Sequence, residues 1–108
     1  MKDDFEMTLT DEDLEQAVNW ADTGTAALDR LLVVAQGDTG QSGIVARFLM
    51  SWWNAEVLGG FHLTELWGVD GNIASDIQTV IEYIRRIRSY PDSLGYGEQF
   101  QEIVRQWR

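Results

Sequence analysis

Residues 70–87 read DGNIASDIQTVIEYIRRI, and this stretch decides the fold class. Its aliphatic side chains recur three or four positions apart, which is the period of one helix face. They are Ile73, Ile77, Val80, Ile81, Ile84 and Ile87. β-Branched residues favour strands, but a half-buried strand alternates at every second position, and no such alternation is present. We therefore predict a helix that Asp70 opens and that Tyr90-Pro91-Asp92 ends.

The first 37 residues predict two further helices, separated by Thr23-Gly24-Thr25. The earlier one, over about 11–21, has a capping residue at Thr10 and then three acids that complement the positive end of a helix dipole. The later one ends at Gly37, because a glycine at this position favours the left-handed conformation that closes many helices. Its apolar face consists of Leu28, Leu31, Leu32 and Ala35, widened by Val33 and Val34.

The remaining chain predicts three helical segments. Thr39 or Ser42 caps a helix that Gly59-Gly60 ends, and a piece of one or two turns follows over 62–67. The apolar faces are Val45, Phe48, Leu49, Trp52 and Trp53 in the first, and Phe100, Ile103, Val104 and Trp107 in the last. We expect one all-α domain over 1–108, a compact bundle of five or six short helices, with residues 1–9 as a flexible acidic N-terminus.

The charge of the chain is strongly negative and unevenly distributed. It has 18 acidic and 8 basic residues, a formal net charge of −10 at pH 7, and no cysteine. Residues 1–38 hold ten acids and two bases, a net charge of −8, whereas residues 39–108 hold eight acids and six bases. This balance disfavours direct binding to nucleic acid or anionic membranes and favours a partner with a basic surface. No apolar run approaches the roughly 20 residues that span a bilayer, and we expect a cytoplasmic protein.

Three motifs invite a catalytic interpretation. Asp-Thr-Gly, the tripeptide of aspartic proteases, occurs at 22–24 and 38–40, but both copies fall at predicted helix boundaries, where these residues form caps and turns. The glycine-rich loop 37–43 lacks the lysine of a phosphate-binding loop. His62 is the single histidine, and it has no cysteine partner and no second histidine to share a metal. We predict no enzymatic activity, no cofactor and no metal site.

Charged side chains are concentrated at two places. The four acids among residues 11–15 form either a solvated helix start or a binding surface that mimics nucleic-acid phosphates and occupies a basic groove on another protein. The two interpretations are compatible. The three arginines among residues 85–88 complement the negative end of the central helix or pair with the acidic N-terminus.

Five tryptophans are many for this length, and exposed tryptophans often anchor protein interfaces. At least three are expected in the core. Trp52 and Trp53 lie about 100° apart on a helix, so we expect one in the core and the other at the surface. The predicted partner-binding residues are Asp11, Glu12, Asp13, Glu15, Asp22, Trp20 and Trp53.

The segments WWNAE (52–56) and LWGVD (66–70) resemble a family of small uncharacterised proteobacterial proteins found on plasmids, integrated elements and prophages. The resemblance covers residues 25–88. It implies no catalytic residue, because the family has no established activity. In size, acidity and lack of cysteine, the chain is also similar to anti-CRISPR proteins and other phage-type inhibitors, which implies stoichiometric binding to a host nucleoprotein machine.

The sequence thus predicts a non-enzymatic inhibitor or regulator from a mobile element. Its acidic surface would occupy a basic nucleic-acid-binding groove of a host protein or nucleoprotein complex. The alternative is a homo-oligomeric accessory protein of a plasmid or prophage, a homodimer for example, with tryptophan-rich faces buried between its copies.

Overall fold

The computed structural model describes residues 10–108, and within 11–18 it describes the backbone only. This part of the chain contains α-helices and short 3₁₀ helices and no strand. The α-helices are α1 (Asp11–Ala35), α2 (Gly40–Leu58), α3 (Gly71–Ile87) and α4 (Gly97–Trp107), and the 3₁₀ helices are Leu63–Gly68 and Pro91–Leu94. The predicted all-α bundle is confirmed, although α1 is not short. The predicted flexible N-terminus over 1–9 lies outside the described residues.

The core lies where α1 packs against α3 and α2, and where α2 in turn packs against α4. α1 and α3 run antiparallel, because Trp20 contacts Tyr83 while Arg30 pairs with Asp76. The predicted apolar faces supply the buried core, which includes Leu28, Leu31, Leu32, Ala35, Val45, Phe48, Leu49, Ile77, Val80, Phe100 and Ile103. Two residues were wrongly placed on such faces, namely Ile81 of α3, which is 42% exposed, and Val33. Val33 is 71% exposed, because it lies on the side of α1 that turns away from the core.

The helix break predicted at Thr23-Gly24-Thr25 is wrong, because α1 runs through it without interruption. Gly24 is buried, and a Cβ atom placed on it would lie 2.5 Å from the ring of Tyr83. The glycine therefore serves the close approach of α1 to α3 and not a turn. The first Asp-Thr-Gly consequently lies inside a helix and not at a helix boundary.

The end of α1 also differs from the prediction for Gly37. Among the described glycines, only Gly59 and Gly95 have positive φ. The backbone N–H groups of Gln36 and Gly37 bond the carbonyls of Leu32, Val33 and Val34. α4 adds to this closure, since Trp107 Nε1 donates to the Ala35 carbonyl and a Gln106 amide donates to the Gly37 carbonyl, both at 2.8 Å. The helix therefore ends without a left-handed glycine.

Both ends of α2 follow the prediction. Thr39 is the N-cap, and its hydroxyl accepts a hydrogen bond from the Ser42 N–H at 3.0 Å. Gly59, with φ of 101°, closes the helix. A feature that the sequence did not predict lies at Asn54, where φ −162° and ψ 88° interrupt the helix. The Asn54 Oδ1 accepts from the Val57 N–H at 3.2 Å, so this residue caps the last turn of α2 as a new helix start.

Candidate protein-interaction surface

Five aromatic rings from all four α-helices form one chain of contacts, called here the aromatic cluster. The centroid distances are 5.9 Å from Trp20 to Tyr83, 6.5 Å from Tyr83 to Trp52, 5.8 Å from Trp52 to Phe100 and 5.9 Å from Phe100 to Trp53. The last three pairs are edge-to-face, the geometry that the ring quadrupole favours. These ring contacts therefore join the four α-helices to one another.

The cluster determines where two predicted partner-binding residues lie. Trp20 is half-buried, contacting Tyr83 and lying 5.5 Å below the guanidinium of Arg86. Trp53 is half-buried as well, with its ring at Phe100. The expected division of Trp52 and Trp53 between core and surface is wrong, because both rings meet the buried Phe100 and both stay partly exposed. Two side chains that are adjacent in sequence point about 100° apart on a helix, so both rings can contact a third ring that lies between them, here Phe100.

The predicted acidic residues fall into two groups. Asp11, Glu12, Asp13 and Glu15 lie on the first two turns of α1, and their side chains lie outside the described residues. Asp22 lies further along the same helix and is exposed. Of the predicted acidic residues, Asp22 alone has a described side chain, and it faces solvent.

The late arginines pair within their own helix. At the C-terminal end of α3, as the dipole argument requires, Arg85 and Arg86 both donate to the carboxylate of Glu82, at 2.6 and 2.7 Å. These two hydrogen-bonded guanidinium groups lower the pKa of Glu82 to about 2. Arg88 has a left-handed backbone with φ of 54°. The expected pairing with the acidic N-terminus concerns side chains that lie outside the described residues.

The most exposed tryptophan of the described chain is one that the sequence did not single out. Trp67 is 85% exposed, and Leu63, on the same 3₁₀ helix, is 72% exposed. We call this helix, Leu63–Gly68, the Trp67 platform. A sequence signal exists in retrospect, because a segment of six residues after Gly59-Gly60 is too short to bury two faces.

Contacts with α2 hold the Trp67 platform in place. Both Nε and Nη2 of Arg47 approach the carboxylate of Glu65, at 2.7 and 2.6 Å, and this pairing lowers the pKa of Glu65. Leu66 packs against the core. Gly68 sits so close to α2 that a Cβ atom there would lie 2.9 Å from Cδ1 of Ile44. The platform is thus fixed on its inner side while Trp67 points outward.

One exposed carboxylate borders the platform. Asp70 follows it directly as the N-cap of α3, and its backbone N–H donates to Oε1 of Gln41 at 2.7 Å. Within the described residues Asp70 has no ion-pair partner, whereas the charge of Arg47 is matched by Glu65. The net charge at this edge of the platform is therefore negative.

His62, the single histidine, lies at the start of the platform. It is the exposed N-cap residue, without a capping hydrogen bond from its side chain. Among the described side chains, those of residues 10 and 19–108, no three histidine, cysteine, aspartate or glutamate groups gather as a metal site would require. Nor does any helix of the described part combine the length and apolarity needed to cross a bilayer.

Comparison with known proteins adds one finding. No curated protein and no solved structure matches the chain. A family model, described as a family of unknown function, matches residues 25–108. This span includes the Trp67 platform and most of the aromatic cluster, and it leaves out the acidic first turns of α1. On this match the chain belongs to the family of unknown function DUF7673.

Proposed function

We propose that this protein is a non-enzymatic regulator, encoded by a mobile element and acting in the cytoplasm as an inhibitor of a host complex. It binds a basic, nucleic-acid-binding groove of a host protein or nucleoprotein complex and needs no cofactor. One observation carries the proposal: five of the seven arginines pair with carboxylates within the described residues, whereas the exposed Asp22 and Asp38 pair with no base there.

The distribution of ion pairs supports this argument. The salt bridges of the described residues join Arg30 to Asp76, Arg47 to Glu65, Arg85 and Arg86 to Glu82, and Arg105 to Glu102. Asp22 and Asp38 are exposed and belong to none of them. Negative charge arranged in this way speeds association with a basic surface and selects against acidic partners.

Capture from a host lysate, with variants matched in charge, tests the proposal. Glu12→Gln, Glu15→Gln and Asp22→Asn together remove three charges from α1 and leave Asp11 and Asp13 of its first turn in place. Glu56→Gln, Asp92→Asn and Glu98→Gln remove three exposed charges elsewhere. We expect the α1 variant to capture a specific basic protein at least about tenfold less well, and the control variant to capture it normally.

Salt provides the second arm of the same experiment. Capture should fall steeply as ionic strength rises, because surface charges are screened over about 8 Å at physiological salt. Capture that is insensitive to salt, or that both triple variants reduce equally, would contradict the proposal.

A homodimeric accessory protein is the second candidate, because the exposed Trp67 and Leu63 offer an apolar surface that a second copy could bury. Light scattering at several concentrations separates the two functions. A mass of 12.3 kDa that does not change with concentration removes the dimer.

A further inference from the structure

We propose that the Trp67 platform is the hydrophobic anchor of this interaction, and that it inserts into an apolar pocket bordered by lysine and arginine side chains on a partner protein. The inference rests on the proposed function, since it specifies the chemistry of the basic partner.

The first support is the orientation of the platform. In a 3₁₀ helix, residues three apart lie on one side, so Thr64 and Trp67 share a side, and both are exposed. Glu65 and Leu66 point inward, to Arg47 and to the core. Leu63, which begins the same helix about 8 Å along the axis and about 120° around it from Trp67, is exposed as well. One short helix thus carries the two most exposed large apolar side chains of the described residues.

The second support is rigidity. Ordering a surface on binding opposes association, and a preformed anchor reduces that cost. The Arg47–Glu65 pair, the Gly68–Ile44 contact and the buried side of Leu66 hold the backbone of the platform. Tryptophan itself has only two side-chain torsions and a large contact area. A fixed, exposed tryptophan has the properties of an interface hot spot.

Charge complementarity identifies the occupant. Asp70 borders the platform without an ion-pair partner in the described residues, and Arg47 is neutralised by Glu65. An apolar pocket with a cationic rim satisfies both the indole and this carboxylate. A second copy of this chain does not, because it would bring two negative rims together in a protein of net charge −10.

The C-terminal end of α2, away from the Gln41, Ile44 and Arg47 contacts of the platform, provides a matched control. Val57 is 66% exposed and lies beside a cavity of about 340 Å³, together with Trp53 and Val104. Its surroundings differ in charge, since Arg108 reaches the Leu58 carbonyl at 2.6 Å. Val57→Ser therefore removes a comparable exposed apolar side chain away from the negative rim.

Three synthetic helical peptides of equal length test the proposal: one of leucine and lysine, one of leucine and glutamate, and one of serine and lysine. Binding is followed by the indole N–H resonances of the labelled protein, with Trp67→Phe identifying the signal of Trp67. We expect the leucine–lysine peptide to shift that signal. Trp67→Ser should weaken its binding about tenfold, and Val57→Ser should weaken it less than about twofold.

The outcomes separate the anchor from the proposed function. Equal effects of Trp67→Ser and Val57→Ser, equal binding of the leucine–glutamate peptide, or concentration-dependent self-association through Trp67 would overturn the anchor. If both lysine peptides bind alike and in a salt-dependent way, the acidic surface stands and the anchor fails. If neither lysine peptide binds, the proposed function fails as well. Circular dichroism of both serine variants confirms that they remain folded.

Discussion

The aromatic cluster and the Trp67 platform use the same kind of side chain with opposite results. In the cluster, Phe100 is fully buried between the edges of Trp52 and Trp53. On the platform, Trp67 has no ring contact in the described chain and is almost fully exposed. The difference lies in the opposing elements, because α2 and α4 face each other across Phe100 while no described helix faces the outer side of the platform. A tryptophan in this sequence is therefore structural or available for binding according to what lies across from it.

The two regions should differ in how much their aromatic side chains contribute to the free energy of unfolding. Large aromatic side chains contribute most to stability when they are removed from water, and edge-to-face pairs add to that contribution. Trp67 removes little surface from water, so folding alone does not account for its presence. The stability of variants at the two sites measures this difference directly.

The largest expected effect is at the centre of the cluster. Phe100→Ala should lower the free energy of unfolding by about 3–5 kcal/mol, because it leaves a cavity that two tryptophan edges cannot fill. Trp67→Ala should change it by less than about 0.5 kcal/mol. Urea denaturation measures both. Similar losses in the two variants would mean that Trp67 is buried in solution and would remove the contrast.

The sequence was sufficient to predict the faces and caps that depend on near neighbours. The period of Ile77 and Val80, the Thr39 cap and the closing Gly59 all concern residues within a few positions of one another. The fold class follows from these local signals, because each helix needs a partner for its apolar face.

The errors concern contacts between residues far apart in the chain. Gly24 meets Tyr83 across 59 positions, and no local signal distinguishes this close approach from a helix break. The end of α1 depends in the same way on Trp107. The site was affected most, because the exposure of Trp67 arises where no described helix packs against the platform's outer side, and the shortness of the segment after Gly59-Gly60 is the one local signal of it.

The next largest effect is expected at Gly24, where a substitution tests how closely α1 packs against Tyr83 of the aromatic cluster. Alanine favours a helix over glycine by about 1 kcal/mol, but a Cβ atom against the ring of Tyr83 should cost about 1–3 kcal/mol, since Trp20 and Trp52 restrain that ring. We expect Gly24→Ala to lower the melting temperature. Gly71→Ala is the control, because nothing lies within 4 Å of a Cβ atom there. Equal behaviour at the two positions would show that α1 and α3 do not pack closely.

A smaller effect is expected at the Trp67 platform. The Arg47–Glu65 ion pair joins the platform to α2, whereas four ring contacts hold the aromatic cluster. Arg47→Ala should reduce stability by about 0.5 kcal/mol, the usual range for an exposed pair. Hydrogen exchange should respond more clearly, with faster exchange at the Glu65 N–H, which donates to the His62 carbonyl at 2.9 Å. The amide of Tyr83 in the aromatic cluster serves as the reference. Unchanged exchange at Glu65 would show that Leu66 and Gly68 hold the platform without the ion pair.

The smallest expected effect is a pH dependence of stability that arises from the pairing of Glu82 with Arg85 and Arg86. The pKa of Glu82 is lowered to about 2, against an ordinary value of 4.5, by hydrogen bonds from Arg85 and Arg86. Because the folded state holds the proton more weakly, the stabilisation is fully present above pH 4.5 and is lost as the pH falls towards 2. The stability difference between the native protein and Glu82→Gln should therefore shrink across this window.

The control is a protein that carries both Arg85→Met and Arg86→Met, in which adding Glu82→Gln should produce no such pH dependence. Because the pair is exposed, the difference is small, and repeated urea titrations at pH 2.5, 3.5 and 5 are needed to resolve it. A stability difference that stays constant or grows as the pH falls would contradict the assigned pairing. The late arginines would then be available to the acidic start of α1, which is the arrangement that most weakens the proposal of a free acidic surface.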